Sequence, residues 1–91
     1  MTFLIIEKFK EDKVNALYLR LEEKGRLLSP GIQYVNSWID MDITTCYQIM
    51  KAKSIGQVQE WLFQWQEFAD FEIIPVMDSD IARKIVLSEN S

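Results

Sequence analysis

The spacing of hydrophobic positions predicts a strand followed by a helix at the start of the chain. Residues 3–10 are rich in β-forming side chains, which is typical of a strand. Beyond them the apolar positions recur every three or four residues, as on one face of a helix; they are Val14, Leu17, Tyr18 and Leu21. Asp12 is the predicted N-cap of this helix, and Gly25 is placed to end it.

A hairpin and a second helix follow a predicted turn. Pro30 and Gly31 suit the central positions of a type II turn. Segments 32–39 and 44–52 predict two strands, and the loop between them lacks the glycine of a tight two-residue turn, which favours a four-residue loop. Residues 54–57 have the S-x-x-Q form of a capping box. The predicted helix after them carries its apolar residues on one side: Val58, Trp61, Leu62, Trp65 and Phe68.

The last third of the chain predicts an edge strand and a short helix. Residues 71–76 form the predicted strand, and Pro75 favours an edge position because proline cannot donate to a ladder. A helix is predicted from Asp78 or Ser79 through Ile85 and Val86. The order β-α-β-β-α-β with an added C-terminal helix is that of the ferredoxin-like α+β fold, which has a four-stranded antiparallel sheet with both helices on one face. We expect one such domain over residues 1–91.

Apolar side chains occupy both faces of the predicted strands. The opposed sets are Phe3 and Ile5 against Leu4 and Ile6, Val35 and Ile39 against Tyr34 and Trp38, and Phe71 and Ile73 against Ile74 and Val76. A sheet with one solvated face alternates cleanly between apolar and polar positions instead. An apolar face of four strands exceeds what soluble monomers expose, and a second copy related by a two-fold axis is its simplest cover. The pattern therefore predicts a homodimer.

Composition narrows the class of protein. The 10 Lys and Arg against 14 Asp and Glu give a net charge of −4, which disfavours binding to a phosphate backbone. The apolar run at residues 1–6 is too short for a signal sequence or a membrane span, and a single cysteine suits a reducing compartment, so we expect a cytoplasmic protein with no membrane association. Histidine is absent, which removes the usual proton carrier and ligand for zinc or haem iron. We expect no metal and no cofactor.

Several stretches of the chain resemble a family of short bacterial proteins known only as a domain of unknown function. They are residues 25–26, 37–38, 46–50, 61–65 and 71–76. That family is similar in architecture to the dimeric α/β-barrel superfamily, in which two open sheets pack face to face around a cleft. The resemblance implies a ferredoxin-like fold and a dimer, and it implies no activity. Several enzymes of the superfamily rely on a histidine, which this chain lacks, so their chemistry does not carry over.

Two carboxylates within apolar strands are the candidate catalytic residues. Glu7 and Glu72 lie on strands that are antiparallel neighbours in the ferredoxin-like order, so their carboxylates are candidates to meet and to act as a general base. The competing interpretation places both at sheet margins, in solvent or paired with lysines. Cys46 has no histidine to activate it, which favours core packing over a nucleophilic role.

Four further residues are candidate ligand contacts. Asn36, Trp38 and Tyr47 share a face with Thr45 if the hairpin loop has an even number of residues. They suit a pocket for a flat organic molecule or, alternatively, a dimer interface. Arg26 follows the first helix, where it either complements the helix dipole and pairs with Glu22, or binds a carboxylate or enolate.

The resulting functional hypothesis is a homodimer that binds a small aromatic or apolar molecule in a cleft between subunits. If the chain is an enzyme, cofactor-independent proton transfer or oxygenation is the class that depends least on the histidines and metal ligands absent from the sequence. Whether it is an enzyme is left open. The alternative is a structural or regulatory interaction module whose cleft is closed by side chains of both subunits.

Overall fold

The chain forms a four-stranded antiparallel sheet and three helices, in the predicted order. A computed structural model describes residues 1–89. The elements are β1 Thr2–Phe9, α1 Val14–Lys24, β2 Gln33–Ile39, β3 Thr45–Lys51, α2 Ile55–Phe63, β4 Ala69–Val76 and α3 Ser79–Glu89. The strands lie in the order β2-β3-β1-β4. This α+β topology is consistent with the predicted ferredoxin-like fold, and β4 takes the edge position that Pro75 indicated.

The two faces of the sheet differ in their environment. Phe3, Ile5 and Glu7 alternate along β1 and are buried beneath the helices. Their partners on β3 are Met50, Gln48 and Cys46, which are buried on the same face. We call the opposite face the open face, because Trp38 and Tyr47 on it are exposed. It carries the other residues of each strand, because side chains alternate with a period of two.

Two clusters of buried side chains form the core between the sheet and the helices. In one, Val58, Trp61 and Leu62 of α2 pack on β1 and β3. In the other, Leu17 of α1 packs on Trp65, Phe68 and Ala69. The predicted role of the aromatic residues around α2 as core residues is confirmed.

The start of α1 and the end of α2 differ from the prediction. Asp12 does not cap α1: it adopts a left-handed φ of 62°, and Lys13 holds the N-cap position without a side-chain hydrogen bond. The α2 cap is confirmed, since Ser54 accepts a hydrogen bond from the Gln57 amide. However, α2 ends at Phe63 rather than continuing to Phe68, and the chain proceeds through turns whose amides bond three residues back. These tighter turns still bury the aromatic residues that follow the helix.

Both predicted turns are present. The Ile32 amide donates to the Ser29 carbonyl at 3.2 Å, and Gly31 has a φ of 91°, as the third position of a type II turn requires. In the hairpin loop, the Ile43 amide bonds to the Asp40 carbonyl at 2.9 Å. The Asp40 carboxylate also accepts bonds from the Thr44 and Thr45 amides, at 2.7 and 3.0 Å. The Thr44 hydroxyl also donates to this carboxylate, and this bond, followed by the two amide bonds, holds the pKa of Asp40 below its usual value.

A β-bulge in β2 changes which of its side chains face the helices. The pairing with β3 shifts between Tyr34 and Asn36, so Val35 is the extra residue. Tyr34 therefore pairs with Met50 on the helix face, while Trp38 pairs with Tyr47 on the open face. The expectation that Tyr34 and Trp38 share a face is wrong, because an uninterrupted alternation was assumed.

The helix α3 begins at the predicted position, and none of its described residues belongs to the two buried clusters of the core. Its large apolar residues are exposed: Ile81, Ile85, Val86 and Leu87. The molecule is correspondingly elongated, with extents of 53 × 31 × 17 Å. Within the described residues, no helix has the length and apolar character needed to cross a membrane.

Candidate functional site

A cavity of about 130 Å³ lies between the helix face of the sheet and the helices α1 and α2. Its walls include Leu17, Leu21, Trp61 and Trp65. Polar side chains reach it from five parts of the fold: Glu7, Tyr18, Arg26, Ser37, Cys46 and Gln48. The cavity is thus apolar along its helical walls and polar along the sheet.

Glu7 is a carboxyl group placed in the core by strand alternation. The residue is 7% exposed and lies between Cys46 of β3 and Phe71 of β4. Burial raises the pKa of Glu7 to about 7, while hydrogen bonding to Cys46 and the positive charge of Arg26 act in the opposite direction. The group can therefore gain or lose a proton near neutral pH.

Cys46 neighbours Glu7 but is not a nucleophile at neutral pH. Burial, the Glu7 charge and the hydrogen bond to Glu7 raise the pKa of the thiol to about 12. Since the thiolate is the reactive form, Cys46 acts here as a small buried side chain with a weak donor, as the sequence favoured.

Gln48 presents an unpaired amide to the cavity. Its side chain is 7% exposed and lines the cavity beside Glu7's partner Cys46. Among the residues that the structure describes, none forms a hydrogen bond with this amide. No buried side-chain nitrogen or oxygen of the described residues lacks a partner, so the amide atoms of Gln48 are open to the cavity and available to a molecule there.

Two tryptophans fix the position of Arg26. The indole N–H groups of Trp61 and Trp65 both donate to the Arg26 carbonyl, at 2.8 and 3.2 Å. The guanidinium lies over the Tyr34 ring, with its central carbon 3.7 Å from the ring centroid. This stacking depends on the bulge that brings Tyr34 to the helix face. Arg26 is thereby held at the cavity by contacts to both its backbone and its side chain.

The candidate residues from the sequence separate into two groups. Glu7 and Arg26 line the cavity. Asn36, Trp38 and Tyr47 share the open face, since they pair with Ile49 and with each other across β2 and β3. Glu72 pairs with Ile6 and also lies on the open face, so the carboxylates of Glu7 and Glu72 do not meet. The two carboxylates occupy opposite faces because their positions differ by one residue in the register.

Sequence reasoning missed the polar cavity residues Ser37 and Gln48. The signal for Gln48 is its position in β3, where it alternates with the buried residues Cys46 and Met50 on the same face. An amide at such a position needs a partner, and this alternation could have identified it. Ser37 carried no comparable signal, because a serine between two exposed positions of a strand is as common on a solvated face as in a cavity.

A second concavity of about 400 Å³ is an open groove between α2 and β4. Phe63, Phe71 and Ile73 contribute its apolar surface, and Lys10 closes one end by donating to the Gln66 carbonyl at 2.9 Å. It holds no buried titratable group. In the described part of the chain, no cluster of three or more acidic, cysteine or histidine side chains could hold a metal ion.

Comparison with known proteins gives a family and no function. A family model described as "Domain of unknown function (DUF3303)" matches residues 1–89. No curated protein and no solved structure matches the chain. The assignment of chemistry therefore depends on the cavity itself.

Proposed function

The chain belongs to the DUF3303 family, and from its geometry we propose that the cavity binds a compact, mostly apolar small molecule with one polar group. The observation that carries this proposal is the Gln48 amide, which opens onto the cavity beside the Glu7 carboxyl and has no hydrogen-bond partner among the described residues. Ligand sites combine mostly apolar walls with a few placed polar groups. A ligand that enters this cavity can form hydrogen bonds with the accessible Gln48 amide while its apolar part contacts the helical walls.

The volume of the cavity limits the ligand to about one ring. A cavity of about 150 Å³ can hold a benzene molecule, and the cavity here is about 130 Å³. Sites for drug-sized ligands are larger, on the order of 300 to 1,000 Å³. The sequence hypothesis placed the ligand between subunits, whereas this proposal places it within each chain.

The first test is ligand binding to the wild-type protein and to a variant with a filled cavity. Thermal shift with ring-sized phenols, ketones and aromatic acids should identify stabilising compounds, because a ligand at 100 times its Kd adds about 2.7 kcal/mol of stability. Leu21→Trp places an indole at the cavity wall and should abolish the shift.

Leu19→Trp is the matched control for this experiment. It introduces the same side chain on the same helix at a position that is 63% exposed and outside the cavity. The shift should persist in this variant. Equal shifts in both variants, or no shift with any compound, would contradict binding in the cavity.

We also propose that two chains associate through their open faces. This face carries half-buried Leu4, Ile6 and Ile49 together with Trp38 and Tyr47, which are 56% and 39% exposed. A contiguous apolar surface of this kind is typical of an interface. The aromatic side chains that the sequence offered as ligand contacts act as interface residues in this proposal.

The dimer is tested by measuring mass in solution. Sedimentation velocity at micromolar concentration should give twice the chain mass of 10.8 kDa. Trp38→Glu buries a charge in the interface and should give a monomer. Phe63→Glu, which changes an exposed aromatic residue on the helical layer, should leave the dimer intact. A wild-type monomer would contradict the proposal.

The alternative function is a structural or regulatory interaction module. It predicts a stable dimer whose cavity binds no compound. The two measurements together therefore separate this alternative from the ligand-binding proposal.

A further inference from the structure

We propose that Glu7 transfers a proton within a ring-sized unsaturated ketone bound in the cavity, with Gln48 and Arg26 stabilising the charge that forms on the ketone oxygen. This inference rests on the proposed function and names its substrate class. The reaction is an isomerisation, which moves a carbon–carbon double bond into conjugation with the carbonyl.

The surroundings of Glu7 suit a base that acts on a carbon acid. The carboxyl is enclosed by the sheet and by aromatic and aliphatic walls, including Phe9, Leu17 and Trp61. Removing water from a carboxylate makes it a stronger base. The same apolar walls accept the hydrocarbon ring of a ketone, which a hydrated site would not favour.

Glu7 is the group beside the cavity whose charge changes near neutral pH. The titratable groups that face it are Cys46 from β3, Tyr18 from α1 and Arg26 from the loop after α1. The pKa values of the thiol and the phenol are both raised, so these two groups stay neutral at pH 7. Phe71 from β4 and Trp61 from α2 carry no titratable group. Proton transfer therefore falls to Glu7.

Two donors are available for the ketone oxygen. The Gln48 amide opens onto the cavity and has no hydrogen-bond partner within the described residues. The Arg26 guanidinium lines the same cavity and carries a fixed positive charge. Donors held in place before the reaction stabilise a developing oxyanion more than mobile water does. The contacts of Trp61, Trp65 and Tyr34 hold Arg26 in this way.

The proposed step balances without an oxidant, a metal or a cofactor. The Glu7 carboxylate removes a proton from the carbon between the carbonyl and the double bond. The electrons of that C–H bond form a dienolate, whose oxygen accepts hydrogen bonds from Gln48 and Arg26. The Glu7 carboxylic acid then returns the proton to the far carbon of the former double bond. The carbonyl is restored and the carboxylate is regenerated.

The test uses cyclohex-3-en-1-one, a ring ketone of seven non-hydrogen atoms. Its conversion to cyclohex-2-en-1-one is followed by the ultraviolet absorbance of the conjugated product. Wild-type protein should accelerate the conversion, and the rate should rise with pH and level off above about 7, where Glu7 is ionised. Glu7→Gln removes the base and should lower the rate by about 10² to 10⁴-fold.

Two further variants and a binding measurement complete the experiment. Gln48→Leu should lower kcat by removing an oxyanion donor while keeping the pH profile. Glu23→Gln changes an exposed carboxylate of α1 outside the cavity and should leave the rate unchanged. Cyclohexanone, which cannot isomerise, should stabilise wild type and Glu7→Gln alike in thermal shift. Retained binding shows that Glu7→Gln folds and has lost the chemical step.

The outcomes separate this inference from the proposed function. Binding of ring-sized compounds without turnover would overturn the inference and leave the binding proposal intact. Turnover that survives in Glu7→Gln would also overturn it. Absence of binding by any compound would overturn both.

Discussion

A buried carboxyl group in the middle of a central strand is the least expected single residue of this fold. Glu7 continues the buried alternation of Phe3 and Ile5, where an apolar residue would pack without cost. The chain therefore maintains an ionisable group in its core. The free energy of unfolding must depend on the protonation state of that group.

The stability of the protein should fall as the pH rises from about 4.5 to about 7. Burial raises the pKa of Glu7 from 4.5 to about 7, so in this range the folded chain holds a proton that the unfolded chain has released. The stabilising effect is complete below the lower value and lost above the upper one, with a total change of about 3 kcal/mol. Urea unfolding at several pH values measures it.

Glu7→Gln should remove this pH dependence, because the amide does not titrate, and should be more stable than wild type at pH 8. Glu23→Gln is the control, since its exposed carboxyl should leave the slope in place. A parallel pH dependence in wild type and Glu7→Gln would show that Glu7 is not the group responsible.

Individual site residues were predictable where strand alternation is regular. Glu7 stands out from the sequence as an acid among β-forming apolar residues, and its candidacy needed no structure. The role of Arg26 needed more, because the sequence does not show that two indoles bind its carbonyl. Those contacts join positions 35 and 39 residues apart, and local patterns do not report them.

At the scale of elements, the number and order of strands and helices followed from hydrophobic spacing, whereas local irregularities did not. The bulge at Val35 reversed the predicted face of Tyr34, since a period of two cannot reveal an added residue. The helix α2 was predicted too long because the buried aromatic residues continue at helical spacing into the turns that follow it. Tertiary packing decided both cases.

The link between α2 and the loop that carries Arg26 should show cooperative energetics. Trp61→Phe or Trp65→Phe alone leaves one indole bonded to the Arg26 carbonyl. The double variant leaves none, and an unpaired buried carbonyl costs about 1 to 3 kcal/mol. The loss of stability in the double variant should therefore exceed the sum of the single losses by about 1 kcal/mol or more. Urea unfolding of the four proteins measures this difference, and additive losses would contradict the shared-acceptor arrangement.

At the scale of the whole molecule, the chain leaves two apolar surfaces without cover. Its radius of gyration is 15.4 Å, against about 12 Å for a compact domain of this length. The molecule is thus extended, and the apolar side chains of α3 are exposed. The sequence predicted that α3 exists and that both sheet faces are apolar. It did not predict where α3 lies, because its apolar stripe has no complement within the described part of the chain.

The extra residue in β2 acts as a phase shift in the pattern of side chains. After Val35, Trp38 lies on the open face. Before Val35, Tyr34 lies on the helix face, where its ring stacks against Arg26. If Val35 instead paired with β3 as an ordinary strand residue, Tyr34 would move by one position in the register and its ring would turn outward. The inward position of the ring therefore depends on Val35 staying outside the ladder, and the hydrogen-bond pairing of this strand matters to the cavity as much as its composition does.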